Sequence, residues 1–251
     1  VVHGEVPPRR FMGENKDCGP CYVRGITEGE ATPPGQSMWL AYSVNKEDIW
    51  VSRVPTPIRT TWTGPVSDNF DDLQPGGAIA NWNIYSPRWA RVYVNDAHQL
   101  CLTDSDRYDY ARAIRVFEAK PRTDIALDMQ VAAENDDPME IDVTDRHGER
   151  IVCVRLHRGL ISADGKQIGS YTQGQWQRLS ITIDHGRVSV CDHEVAALHT
   201  AQNPERLSIR TGQYRDLPNR QTPNQAPAPP LPGCDERIQP ALYLADNVSI
   251  R

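Results

Sequence analysis

No stretch of this chain holds the roughly 20 consecutive apolar residues that a membrane span requires, and the N-terminal VVHGEVPPRR lacks the charged-then-apolar order of a signal peptide. Basic charge is also short. Lys and Arg number 27 against 33 Asp and Glu, a formal charge of −6, and no basic run is interleaved with aromatics, which excludes a nucleic-acid backbone as partner. Helical periodicity is almost absent, which excludes a helix-rich fold.

Cysteine is sparse and scattered. Cys18, Cys21, Cys101, Cys153, Cys191 and Cys234 permit three disulfides without requiring one. Only Cys18 and Cys21 lie close together, whereas a zinc site wants a second such pair. Their stretch, KDCGPCYVRGIT, carries the spacing of a thioredoxin-type redox centre, which works when the first sulfur caps a helix after a buried strand. Here RRFMGENKD precedes it and strand-like CYVRGITEGE follows, so the stretch is expected to be a loop with two thiols. Cys153 in RIVCVRLH and Cys191 in RVSVCDHE read as free thiols in strands.

What the sequence does hold is alternation. SMWLAYSVNKEDIWVSRV reads as a hairpin turning at Asn45, Lys46 and Glu47. In DIALDMQVAA, Ile125, Leu127, Met129 and Val131 alternate with Asp124, Ala126, Asp128 and Gln130, which predicts a strand with one wet face. Met139, Ile141 and Val143 repeat the pattern, turn at Asp145 to Gly148 and return through Val152, Val154 and Leu156; WQRLSITIDHGRVSVCDHE turns at Asp184, His185 and Gly186. Short strands at regular spacing predict an antiparallel sandwich or jelly roll. ALYLADNVSIR reads as a closing strand, and PNRQTPNQAPAPPLPG, residues 218–233, as a surface excursion too rich in proline to pair. The proline- and glycine-rich stretch after Val54 predicts a connection between two units, with a boundary near residue 58.

MWLAYSVNKEDIWVSRVPTPI, WNIYSPRWARVYV, DRYDYARAIRVFEA, LSIRTGQYR and YLADNV, in that order, resemble the C-terminal part of bacterial sialidase-like proteins with BNR-type β-propellers. In that family the last propeller blade leads into a concanavalin A-like jelly roll. The resemblance implies an all-β chain: residues 1–57 as the last part of a propeller, ending in a hairpin, and residues 58–251 as the jelly-roll sandwich. It further implies that the chain is a piece of something longer, with an upstream propeller as partner and a secreted or periplasmic location.

Sialidase-type chemistry takes an arginine cluster, a nucleophile and an acid from several blades, and one blade cannot supply them all. No catalytic residue is therefore assigned. The leading expectation is an accessory, carbohydrate-associated module; the alternatives are a chain that completes an active glycoside hydrolase or polysaccharide lyase, and a purely structural sandwich.

Candidate sugar contacts are Arg24, whose guanidinium offers a carboxylate two parallel donors, and the hairpin tip with Lys46 and Glu47. Trp62, Trp82, Trp89 and Trp176 supply either core or faces for stacking on sugar rings, with exposed Trp82 and Trp89 the ones expected to stack. Jelly rolls of this kind often carry a calcium ion bracing the first and last strands, a topology that Asp68 or Asp72 with Asp246 would satisfy.

Overall fold

The computed structural model describes residues 20–27, 37–44, 46, 48–55, 62–197, 203–212, 232–233 and 235–251. Every regular element among them is a strand. The first three, β1 (Pro20–Thr27), β2 (Ser37–Val44) and β3 (Asp48–Pro55), make an antiparallel sheet in that order. The expected hairpin is thus present, with a third strand beside it that contains Cys21. Cys18 and Glu47 lie outside the described residues.

The rest is a sandwich. Its strands are β4 (Val66–Asp68), β5 (Trp82–Tyr85), β6 (Val92–Val94), β7 (Leu100–Asp106), β8 (Tyr110–Val116), β9 (Arg122–Ala133), β10 (Met139–Thr144) and β11 (Arg150–His157), then β12 (Leu160–Ala163), β13 (Lys166–Ser170), β14 (Trp176–Asp184), β15 (Arg187–Val190), β16 (His193–Val195), β17 (Arg206–Gly212) and β18 (Arg237–Ile250). One sheet runs β13-β12-β11-β10-β17-β8-β5; the other runs β16-β15-β14-β9-β18-β7-β6, with β4 paired to the end of β18.

The period-2 alternation sets the core. Ile125, Leu127, Met129 and Val131 of β9 share one buried cluster with Ile141, Val143, Val154, Leu156, Leu207 and Ile209 of the seven-stranded sheet, so the apolar faces of both sheets are removed from water together. Local turn chemistry fixes the hairpins. His185 and Gly186 both adopt positive φ, 49° and 82°, as a two-residue hairpin turn requires. The Asp145 carboxylate accepts hydrogen bonds from the backbone N–H groups of His147 and Glu149 at 2.8 and 2.9 Å. The closing strand extends further back than ALYLADNVSIR suggests, and its pairing with β7 shifts register between Arg237 and Ala241, around Pro240, which has no N–H to donate.

Two features lie off the main core. Arg115 on β8, 2% exposed, donates Nε to Asp68 at 2.7 Å and Nη1 to the Val116 carbonyl at 3.0 Å, and its guanidinium lies 3.9 Å from the Trp62 ring centroid. On the opposite face of the same sheet, Tyr42 and Val44 of β2 form a small cluster with Tyr85, flanked by Leu40, Trp50 and Tyr110. The N-terminal sheet therefore rests on the outer face of the seven-stranded sheet at its β5–β8 side.

Candidate functional site

Strands β10 and β17 are buried on both faces, unlike the half-wet strands around them. Their inner residues fill the core; their outer ones are polar. Register across the sheet lines up Tyr85, Arg112, Arg210, Glu140, Arg155, Ser162 and Gln167, one from each of β5, β8, β17, β10, β11, β12 and β13. Asn83, Ile114, Ser208, Asp142 and Cys153 form the adjacent row. Residues directly opposite in antiparallel strands share a face, so both rows point outward.

Charge on this face is mostly paired. Glu140 accepts from Arg210 and, at 3.2 Å, from Arg155 Nε, while Arg150 Nε lies 2.8 Å from Asp142. Burial pushes the Asp142 carboxyl up and the adjacent Arg150 pulls it back. The Cys153 thiol is pushed up, first by burial and then by Asp142 and Glu140, so it stays a neutral thiol.

Arg112 differs from its neighbours. Its guanidinium sits 5.6 Å from the Tyr110 ring centroid, its Nε is buried without a hydrogen-bond partner, and among the described residues no carboxylate pairs with it. A half-buried guanidinium flanked by Tyr110 and Tyr85 and lacking a counter-ion suits a ligand carboxylate better than a structural ion pair.

Glu140, Asp142 and Cys153 bring three ligand atoms within 4.8 Å of one another. Three guanidiniums already surround them, Arg150, Arg155 and Arg210, so this cluster is an ion-pair network rather than a cation site.

The residues singled out from sequence fall elsewhere. Trp82 and Trp89 are only 5% and 7% exposed, which corrects their expected stacking role. Trp82 packs tilted against Phe70, its ring centroid 5.8 Å away, and donates Nε1 to Asp68 at 2.9 Å. Trp89 lies beneath the guanidiniums of Arg88 and Arg237. The exposed tryptophans are Trp39 and Trp176. Arg24 is exposed on β1, and Lys46 reaches over the Tyr22 ring at 5.2 Å, so both belong to the N-terminal sheet.

The first and last strands of the sandwich are indeed neighbours, with Asp68 opposite Val248, but the expected calcium ligands do not converge. Asp68 is taken by Arg115 and Trp82, Asp72 is exposed, and the Asp246 carboxyl is pushed up by burial and then by nearby Asp71 and Asp128. Because the folded state raises this pKa, Asp246 contributes stability below the unfolded value near 4 and loses it as pH rises. Asp246→Asn should therefore raise the melting temperature at pH 7 by about 2 °C and lose that advantage at pH 4, as read by circular dichroism melts. A lower melting temperature at pH 7 would reinstate a bound cation at Asp246.

The family described as "Sialidase-like, CBM domain" matches residues 82–226. A solved structure named "Sialidase" is 30% identical with a TM-score of 0.81; the similarity covers 100% of this chain and 24% of that one, so the chain spans about a quarter of its length. "Alginate lyase AlgAT5 from Polysaccharide Lyase family 7" is 10% identical with a TM-score of 0.50, covering 68% of this chain and 94% of that one. A chain described under "Prominent members of the human gut microbiota express endo-acting O-glycanases to initiate mucin breakdown" is 9% identical with a TM-score of 0.50, covering 74% and 97%. The last two share the sandwich fold. No curated protein matches the chain.

Proposed function

The chain belongs to the sialidase-like carbohydrate-binding-module family, and from that premise we propose that it is an accessory glycan-binding module of a larger, secreted or periplasmic sialidase-like protein. It holds acidic saccharides against the outer face of the seven-stranded sheet, alongside the N-terminal sheet that rests on Tyr85 and Tyr110. The observation that carries this reading is Arg112, a guanidinium without a carboxylate partner among the described residues, between Tyr85 and Tyr110 in a row of polar side chains. A uronate or sialate carboxylate would take paired donors from Arg112, while the half-exposed Arg155, with Ser162 and Gln167, would meet neighbouring hydroxyls. Arg24 and Lys46 on the N-terminal sheet, with Glu47 next to Lys46 in sequence, are a second contact for a longer chain.

The division at residue 58 fits this role. Trp39, Val51 and Ile49 are exposed on the face of the N-terminal sheet turned away from Tyr42 and Val44, an apolar surface of the kind a neighbouring propeller blade covers. In this reading residues 1–57 end a propeller, residues 58–251 form the sandwich, and turnover belongs to the rest of the longer protein.

The test is retention without turnover. The purified chain, passed over immobilised acidic and neutral glycans, should retain the acidic ones and release them unchanged, and Arg112→Ala should weaken binding about 10- to 100-fold with the melting curve preserved. Multiple turnovers that vanish in Arg24→Ala would establish the enzyme instead, and neither retention nor turnover would leave a structural sandwich.

A further inference from the structure

At one end of the sandwich, a cleft of about 400 Å³ opens between the β7–β8 turn and the β9–β10 turn. Arg107 comes from the first turn, and Glu134, Asp136 and Asp137 from the second. Ile238 and Gln239 complete the wall from the start of β18, the stretch where that strand shifts register against β7. This end lies apart from the outer-face row, and clefts of this size, about 300–1,000 Å³, are those that hold small ligands.

The backbone of the second turn is pinned while its carboxylates are left with unused lone pairs. In ENDDP, the Asn135 side-chain oxygen accepts the Asp137 N–H at 2.8 Å, a local closure that asparagine favours, and its amide donates to the carbonyls of Asp104 and Gln239. The hydroxyl of buried Tyr243 donates to the Asp137 carbonyl at 3.1 Å. Both backbone groups of Asp137 are thus satisfied and the residue is only 4% exposed, yet among the described residues no hydrogen bond or ion pair reaches its carboxylate, which lines the cleft. Glu134 is fixed too: the Tyr171 hydroxyl and the Arg158 N–H both donate to Oε1, and among the described residues nothing donates to Oε2. Asp136 differs, being paired with Arg158 at 3.0 Å.

A carboxylate withdrawn from water without a partner is costly unless an occupant of the cleft supplies donors. A metal ion does not suit the place, because Arg107 stands in the wall and no three ligand atoms converge there. Arg107 likewise opposes an ammonium group, and three carboxylates oppose an anion. We propose that the cleft binds an uncharged pyranose unit of a saccharide, with Asp137 as the anchoring acceptor. Vicinal hydroxyls carry donors and acceptors side by side: their O–H groups donate to the Asp137 carboxylate and Glu134 Oε2, their oxygens accept from Arg107 and the Gln239 amide, and Ile238 meets a C–H face of the ring. The chain then has two saccharide sites of opposite charge preference, and this one stands whether or not the outer-face row binds glycan.

The test titrates the full chain with the methyl glycosides of galactose, glucose and mannose, and with glucuronate and glucosamine as charged counterparts, read by ligand-observed NMR. At least one neutral glycoside should bind with a millimolar Kd, about 10-fold or more tighter than either charged sugar. Asp137→Asn, which keeps the shape but replaces an acceptor oxygen with a donor amide, and Arg107→Ala, at an exposed side chain, should each weaken that binding about 10-fold without lowering the melting temperature. Arg112→Ala should leave it intact. No binding of any neutral glycoside at tens of millimolar, binding undiminished in Asp137→Asn, or tighter binding of glucosamine would overturn the site. Loss of the neutral glycoside in Arg112→Ala would move the sugar to the outer-face row and overturn it equally.

Discussion

Arg115→Met should lower the melting temperature by about 6–12 °C, a loss of about 3 kcal/mol. The guanidinium is 2% exposed and stands 2.7 Å from Asp68, whose side chain is 19% exposed. Methionine fills much of the same volume and keeps contact with Trp62, so the loss is chiefly that of a counter-charge. Asp68 would keep the Trp82 Nε1 donor but remain a carboxylate without its cation, and stranding one partner of a buried pair costs more than the pair contributes. The double variant Arg115→Met, Asp68→Leu should recover most of the loss, because it strands no charge. Equal melting temperatures for Arg115→Met and the unaltered chain would show that the pair is too wet to matter.

That pair illustrates how far the sequence was legible. Alternation is a local signal, so Ile125 to Val131 and the hairpins at Asp145 and His185 could be read directly from residue order. Which strands become neighbours is decided by tertiary packing, and nothing in residue order places Asp68 beside Arg115, 47 positions away. The same limit hid the outer-face row, whose seven residues come from seven strands. The one available signal was the polar alternation of Glu140 and Asp142 along β10, matched by Ser208 and Arg210 along β17; it reads as a wet face when the partner strand is unknown.

Tryptophan misled for a related reason. Trp82 and Trp89 sit in a polar stretch, WNIYSPRW, that looks exposed in isolation, yet both rings are buried. The Trp82 N–H finds Asp68, which offsets the cost of burying that ring, while the Trp89 face lies beneath two arginines and its N–H is buried without a partner among the described residues. The jelly-roll topology, by contrast, did bring the first and last strands together. The Asp residues expected to ligate an ion there do not converge, because Asp68 is taken up by Arg115 and Trp82.

Glu140→Gln is the second large effect and links stability to binding. Glu140 is the hub of the outer face, with Arg210 on one side, Arg155 at 3.2 Å on the other and Arg150 at 3.8 Å. Glutamine keeps the shape and one acceptor but removes the charge that balances the buried Arg210. The melting temperature should fall by about 6–12 °C, again from about 3 kcal/mol. A saccharide that brings its own carboxylate to Arg112 would place that charge one strand away from Arg210, in the same row. Acidic oligosaccharide should therefore raise the melting temperature of Glu140→Gln by more than it raises that of the unaltered chain, while a neutral oligosaccharide of equal length treats the two alike. Equal shifts with the acidic ligand would mean that its carboxylate binds away from this row, and the accessory module would then have to hold its glycan on the N-terminal sheet, at Arg24 and Lys46.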